Sequence, residues 1–134
     1  MRVSKLAVQL GITPDTVRYY TRVGFLSPSK NSQNGYKEYG ESDLKRLSFI
    51  LSARQLGFSV DDIGEILDKA SKGDAACPLV RDILETRLKE TEKKFRQTLA
   101  LRERMQSALE DWKSKPDKAP SGHMICHLIE EHNG

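Results

Sequence analysis

The stretch TPDTVRYY, residues 13–20, decides the reading of this chain. Thr13 offers a hydroxyl that can cap a helix. Pro14 suits the first helical position, where its missing N–H would be unpaired anyway, and Asp15 puts a carboxylate in the first turn. Val17, Tyr20 and then Val23 recur at helical spacing before Gly24 ends the run. Upstream, Ser4 is expected to cap a shorter helix with apolar positions Leu6, Ala7 and Leu10, stopped by Gly11. Two short helices joined by a glycine-containing turn form a helix-turn-helix candidate.

Downstream the character changes. Residues 25–39 carry Pro28, Asn34-Gly35 and the aromatics Tyr36 and Tyr39. Asn-Gly predicts a two-residue hairpin turn, with Lys30 and Lys37 on either side. A small basic hairpin after a helix-turn-helix is a wing, which can lie against a phosphate backbone. Ser42 is expected to cap a third helix bearing Leu44, Leu47, Ile50 and Leu51, which ends near Leu56-Gly57. Ser59 with Asp62 forms a capping box for a fourth, with Ile63, Ile66 and Leu67 inward and Lys72-Gly73-Asp74 closing it. Lys45, Arg46 and Arg54 read as a solvated face of the third helix.

A long helix comes next. Pro78 sits in its first turn, and no breaker appears until Pro116. Leu84, Leu88, Thr91, Phe95, Thr98, Arg102, Met105, Leu109 and Trp112 alternate in steps of four and three, a heptad seam with three polar positions. At 1.5 Å per residue, residues 78–112 extend roughly 50 Å. A helix that long cannot bury its stripe within its own small domain, so its economical partner is the same helix of a second chain. Pro116, Pro120 and Gly122 then mark a loop. A short amphipathic tail helix is expected, with Met124, Ile125, Leu128 and Ile129 on the apolar face and His123, Cys126, His127 and Glu130 on the other.

Composition sets the outer limits. The 134 residues suffice for one domain, or a domain plus an extension. No apolar run approaches the roughly 20 residues that span a bilayer, and the N-terminal residues lack a signal-peptide core, so a cytoplasmic protein without a membrane partner is expected. Two cysteines make no disulfide framework and suit a reducing compartment. The net charge of +3 is an average: residues 1–54 carry nine Lys/Arg against four Asp/Glu, and the remainder thirteen against fifteen. A head of +5 on a body of −2 points to a polyanion as the head's partner. No nucleotide-binding glycine loop or HExxH motif is present, and nothing in the sequence supports an enzyme.

The motifs TVRYY (16–20), GFLSP (24–28), NGYKEY (34–39) and DLKRLSFILSARQLGFSVDDIGEIL (43–67) closely resemble, in order and spacing, the MerR family of bacterial transcription regulators. The resemblance extends over the whole chain, most specifically in the N-terminal part. Lys37 stands where the family usually has Arg, which keeps the charge but loses the planar fork. The resemblance implies a mainly α fold. A winged helix-turn-helix head (1–75) carries a dimerisation helix (76–113) that forms an antiparallel coiled coil, followed by an effector-binding loop and tail helix (114–134). It further implies a homodimer on a palindromic promoter element that bends and untwists DNA so that RNA polymerase can engage both promoter elements. Asp15, Thr16 and Arg18 would lie in the groove or at its edge. Arg18, Tyr19, Tyr20, Tyr36 and Lys37 would contact or position phosphates, with Arg54 touching the backbone. One of Tyr19 and Tyr20 is expected in the core instead.

The effector site follows from Cys77, expected at the N-cap of the long helix, where the dipole and unpaired amides favour a thiolate. The resembling sensors of divalent ions carry a Cys here, and it meets the C-terminal loop of the other subunit. That loop offers Cys126, His123 and His127. Metal-sensing members usually have two loop cysteines, and the first is absent here. Two thiolates with one or two imidazoles suit tetrahedral Zn2+ best, with Cd2+ and Co2+ as competitors. Asp74 or Glu130 could add an oxygen, and His132 is a weaker candidate. The alternative is a thiol switch answering oxidants or electrophiles. An iron–sulfur centre is disfavoured, because two cysteines are too few.

Overall fold

The computed structural model describes residues 1–132; Asn133 and Gly134, the end of the expected tail segment, lie outside the described residues. The first helix, α1 (Val3–Leu10), buries Leu6 and Ala7 and ends at Gly11, whose φ of 68° is the left-handed conformation that glycine adopts without cost. Its N-cap is Arg2 and not Ser4, which lies inside the first turn. The reason is distant in sequence. The Met1 amine donates to the Tyr39 carbonyl, and the Tyr39 amide donates back to the Met1 carbonyl, each at 2.6 Å. That pairing holds the chain extended up to Arg2, and the helix starts directly after it.

Helix α2 (Pro14–Arg22) is built as its sequence implies. The Thr13 hydroxyl accepts from the Thr16 amide at 3.2 Å, and Val17 and Tyr20 face inward. The wing consists of β1 (Ser29–Lys30) and β2 (Lys37–Glu38), antiparallel, with Ser29 opposite Glu38 and Lys30 opposite Lys37. Asn34-Gly35 does not make the two-residue turn expected of it. The loop runs from Asn31 to Tyr36, closed by the Asn31 amide on the Tyr36 carbonyl at 2.8 Å. The Asn31 side chain accepts from the Gln33 and Asn34 amides, and only Gly35 takes a positive φ. A type I′ turn needs positive φ at both central residues, and Asn31 offers a cheaper side-chain turn first.

Helix α3 (Glu41–Gln55) starts at a Gly40 N-cap, two residues before the expected Ser42 cap. Asp43 displaces Ser42, because its carboxylate accepts from the Gly40 amide at 3.2 Å and from the Ser27 amide at 2.8 Å. Helix α4 (Val60–Ser71) has the expected capping box: the Ser59 hydroxyl accepts from the Asp62 amide, and the Asp62 carboxylate accepts from the Ser59 amide. The core joins Leu6, Val17, Tyr20, Leu26, Tyr39, Leu47, Ile50, Phe58, Ile63 and Ile66. Arg46 and Arg54 are not merely a solvated face. Their guanidinium groups donate to the Phe25 and Phe58 carbonyls, at 2.5 and 2.8 Å, and so tie α3 to the segments around it.

Helix α5 (Cys77–Trp112) is unbroken. Cys77 is its first residue, inside the helix and not capping it. Leu79, Val80 and Ile83 pack on the head's core, and Arg87 makes a two-pronged ion pair with the buried Asp62, both bonds 2.8 Å long. The guanidinium holds the Asp62 carboxyl well below the usual carboxylate range against the opposing effect of burial, with help from Ser59. The chain thus divides into two compact units, the first ending at Arg87 and the second beginning at Leu88. In the second unit Leu88, Phe95, Met105 and Leu109 of the seam are exposed.

The tail helix α6 (His127–Glu130) is a single turn, and its sidedness departs from expectation. His127, placed on the polar face, is 5% exposed, while Ile125 and Ile129 are 81% and 68% exposed. The His127 Nε2 lies 2.8 Å from the Pro116 carbonyl, which draws the ring inward. The Glu130 carboxylate accepts from the Ile125 and Cys126 amides at 3.0 and 2.8 Å and closes the turn from its own C-terminal end. Among the described residues, no helix is long and apolar enough to cross a membrane.

Candidate nucleic-acid interface and effector residues

A cationic cleft of about 500 Å³ lies where the N-terminal segment, α2 and the wing meet. Arg2, Val3, Ser4, Arg18, Gly35, Tyr36, Lys37 and Tyr39 line it, with no carboxylate among these lining residues. Arg18, Tyr36 and Lys37 were expected at a DNA surface, and the fold brings all three to one place. Arg18 is steadied by Asp15, one turn away, through a 2.8 Å contact at the surface. Exposed pairs of this kind contribute little stability, so their effect here is on orientation. Thr16 shares a 2.9 Å hydroxyl contact with the capping Thr13, and the Asp15 side chain is 91% exposed.

The tyrosine pair divides as expected. Tyr20 is buried, with its ring stacked 6.2 Å from that of Phe25, so it shapes the core and is removed from the phosphate contacts; Tyr19 is 38% exposed. Tyr39 is also buried, and its hydroxyl meets that of Thr21 at 2.7 Å, joining the wing to α2. Arg54 remains exposed while one nitrogen holds the Phe58 carbonyl. Arg2 was not expected here. Its guanidinium stacks 4.3 Å from the centre of the Tyr36 ring. No local pattern announces this, because the contact joins the chain's start to the wing.

The effector residues fall in different units. Cys77 is exposed at the start of α5, beside an apolar groove lined by Phe49, Ile66, Leu67, Ala70 and Val80. Cys126 is half-buried, His123 is exposed, and both belong to the tail. Among the described residues, no three His, Cys, Asp or Glu side chains of one chain gather closely enough to hold an ion. The tail itself has the chemistry of a ligand. A carbonyl only accepts, so the His127 Nε2 carries the proton toward Pro116 and a neutral ring leaves its lone pair on Nδ1. That Nδ1 is buried without a hydrogen-bond partner; Glu131 lies 3.6 Å away, beyond hydrogen-bond reach. A histidine that gives one N–H to a backbone carbonyl and keeps the other nitrogen bare is the usual form of a metal-ligating imidazole.

Comparison with known proteins gives this arrangement its context. Residues 1–70 match the MerR HTH family regulatory protein model, and residues 44–108 match the MerR, DNA binding model. The chain belongs to the MerR family. The HTH-type transcriptional regulator ZntR of Escherichia coli strain K12 is 35% identical over 106 residues, 78% of this chain and 75% of that protein. A probable heavy metal-dependent transcriptional regulator of Haemophilus influenzae is 36% identical over 81 residues, 60% of this chain and 63% of that one. The crystal structure of the transcription regulator PbrR691 from Ralstonia metallidurans CH34, in complex with lead(II), covers 98% of both chains with a TM-score of 0.73 at 21% identity. At that identity the likeness speaks to the fold, and it extends to the winged head and long helix of this MerR-family chain.

Proposed function

We propose that this MerR-family chain is a homodimeric, metal-responsive transcription regulator of the bacterial cytoplasm. Its paired heads bind a palindromic promoter element in double-stranded DNA. Binding of a divalent ion lets the dimer distort that element so that RNA polymerase can engage it. The observation that carries the DNA reading is the carboxylate-free cleft, in which Arg18, Tyr36 and Lys37 converge. Phosphate contacts of this kind set register and orientation on the duplex, while Asp15, Thr16 and the exposed face of α2 address the groove. In a gel shift, Arg18→Ala loses DNA binding while the dimer persists; unchanged affinity at matched salt removes this assignment.

Zn2+ is the ion the donor set suits best, with Cd2+ and Co2+ as competitors. Cys77 of one protomer with Cys126 and His123 or His127 of its partner would hold it. The bare Nδ1 of His127 and its proximity in sequence to Cys126 support the tail's share. The metal relatives add support from outside the chain. When bound, the ion would neutralise the thiolates and cross-link the two chains. Native mass spectrometry of the reduced dimer with zinc tests this: stoichiometric zinc in the parent, lost in Cys77→Ser and in Cys126→Ser. Zinc that survives both substitutions sinks the site. Both thiols are free in the structure, so a thiol switch is the second reading, separated from the first by whether metal or oxidant alters transcription.

A further inference from the structure

We infer that Arg2 is a DNA-backbone contact that also positions the wing, a role resting on the DNA-binding reading above. Three cations from three separate segments share one cleft: Arg2 before α1, Arg18 on α2 and Lys37 on β2. Like charges brought together this way repel; Asp15 offsets Arg18 in part from outside the cleft, and no carboxylate among the lining residues offsets the rest. An anion that enters the cleft relieves the repulsion. Arg2 is suited to hold that anion by the way it is itself held. Its guanidinium carbon lies over the Tyr36 ring, 4.3 Å from the centre, while the residue stays exposed and so can offer N–H groups to another acceptor. The fork of an arginine edge matches the oxygens of a phosphodiester.

The backbone around Arg2 is fixed as well. Met1 pairs with Tyr39 through both its amine and its carbonyl, and the Arg2 carbonyl accepts the Leu6 amide at 3.1 Å. Arg2 is therefore anchored on both sides, one side on the wing's base and the other in α1. Stacking on Tyr36 transmits that anchoring to the wing's loop, where Tyr36 is otherwise 57% exposed. A contact to phosphate carries no sequence information, so Arg2 strengthens binding to any duplex equally.

The test uses the full-length reduced protein and a mixed-sequence DNA duplex, with affinity measured by fluorescence anisotropy between 50 and 200 mM salt as a choice of range. Arg2→Ala is expected to weaken binding by roughly tenfold or more, as loss of a charge-assisted bond in each protomer implies. It also lowers the slope of log K against log salt by about 1.8, for two phosphates per dimer. Arg2→Lys restores the slope and only part of the affinity, because an ammonium keeps the charge without the flat face. Wild-type affinity and slope in Arg2→Ala overturn the inference. So does weakened binding with an unchanged slope, which assigns Arg2 to wing packing alone. Arg18→Ala runs in parallel: if it loses binding and Arg2→Ala does not, only Arg2 is misassigned. If the parent protein shows no salt-dependent binding, the DNA reading fails and takes this inference with it. Matching thermal melts of parent and variants confirm that the comparison is between folded proteins.

Discussion

Arg87→Leu is the most informative single cut in the head. Arg87 closes two 2.8 Å bonds onto Asp62, whose side chain is 9% exposed while that of Arg87 is 31% exposed. Each bond to a charged group contributes about 1.5–3 kcal/mol, and cutting a fully buried pair costs about 3–5 kcal/mol. The partial exposure of Arg87 screens the pair, so the expected loss is about 2–3 kcal/mol. For a chain of this size that lowers Tm by roughly 10 °C. The remaining carboxylate keeps its capping bond from the Ser59 amide.

The assay is a circular-dichroism melt at one fixed protein concentration, because the proposed dimerisation would make Tm concentration-dependent. The double-mutant cycle with Asp62→Asn isolates the pair from any other contact that Arg87 makes. The pH dependence has a definite sign. The folded-state pKa of Asp62 is depressed, so its contribution is fully present above the unfolded value, near 3.9, and is lost as pH falls through the folded one. The gap between parent and variant should therefore be flat from pH 5 to 8 and close only in stronger acid. A shift under 2 °C, a coupling energy near zero, or a gap that closes near neutrality each refutes the pairing.

Two further outcomes concern the helix seam and the first turn of the head. Phe95→Glu with Leu109→Glu should convert the proposed dimer to monomer by analytical ultracentrifugation, because each exposed side chain would give up about 1.5–3 kcal/mol of burial at an interface; an unchanged dimer removes the seam. Gly11→Ala should cost about 1 kcal/mol in a denaturant titration, purely from its φ of 68°, since a Cβ there meets nothing within 4 Å; an unchanged midpoint contradicts that.

How much was legible depends on how far each interaction reaches along the chain. Thr13 and Ser59 read correctly because each cap and its amide partner lie within one turn. Ser4 and Ser42 did not, because pairing of Met1 with Tyr39 and of Asp43 with Ser27 moved both helix starts. The long helix was visible in full, since its periodicity and the lack of breakers are local properties. The tail was misread at His127, whose polar ring is carried inward by a carbonyl eleven residues back, a partner no amphipathic pattern contains. Of the residues lining the cationic cleft, Arg18, Tyr36 and Lys37 were singled out by their motifs. Arg2 was not, because its meaning lies in a ring on the wing.

Cys77 belongs to the first compact unit and Cys126 to the second, and the exposed seam from Leu88 to Leu109 separates them in sequence. A site that needs both thiols can be completed within one chain or across a pair, and a mixed dimer distinguishes these. Differently tagged Cys77→Ser and Cys126→Ser chains are co-expressed and the heterodimer is purified under reducing conditions. If ligands come from opposite chains, one site receives Cys77 from one protomer and Cys126 from the other and is whole, while the second site has neither thiol. Such a heterodimer binds half the parent's zinc with the parent's affinity. If each site is built from one chain, both sites lack a thiol, and the heterodimer behaves like either homodimeric variant. Half-loading at full affinity makes the pairing of α5 helices a condition for sensing; its absence places the sensor inside a single chain and leaves the seam with dimerisation alone.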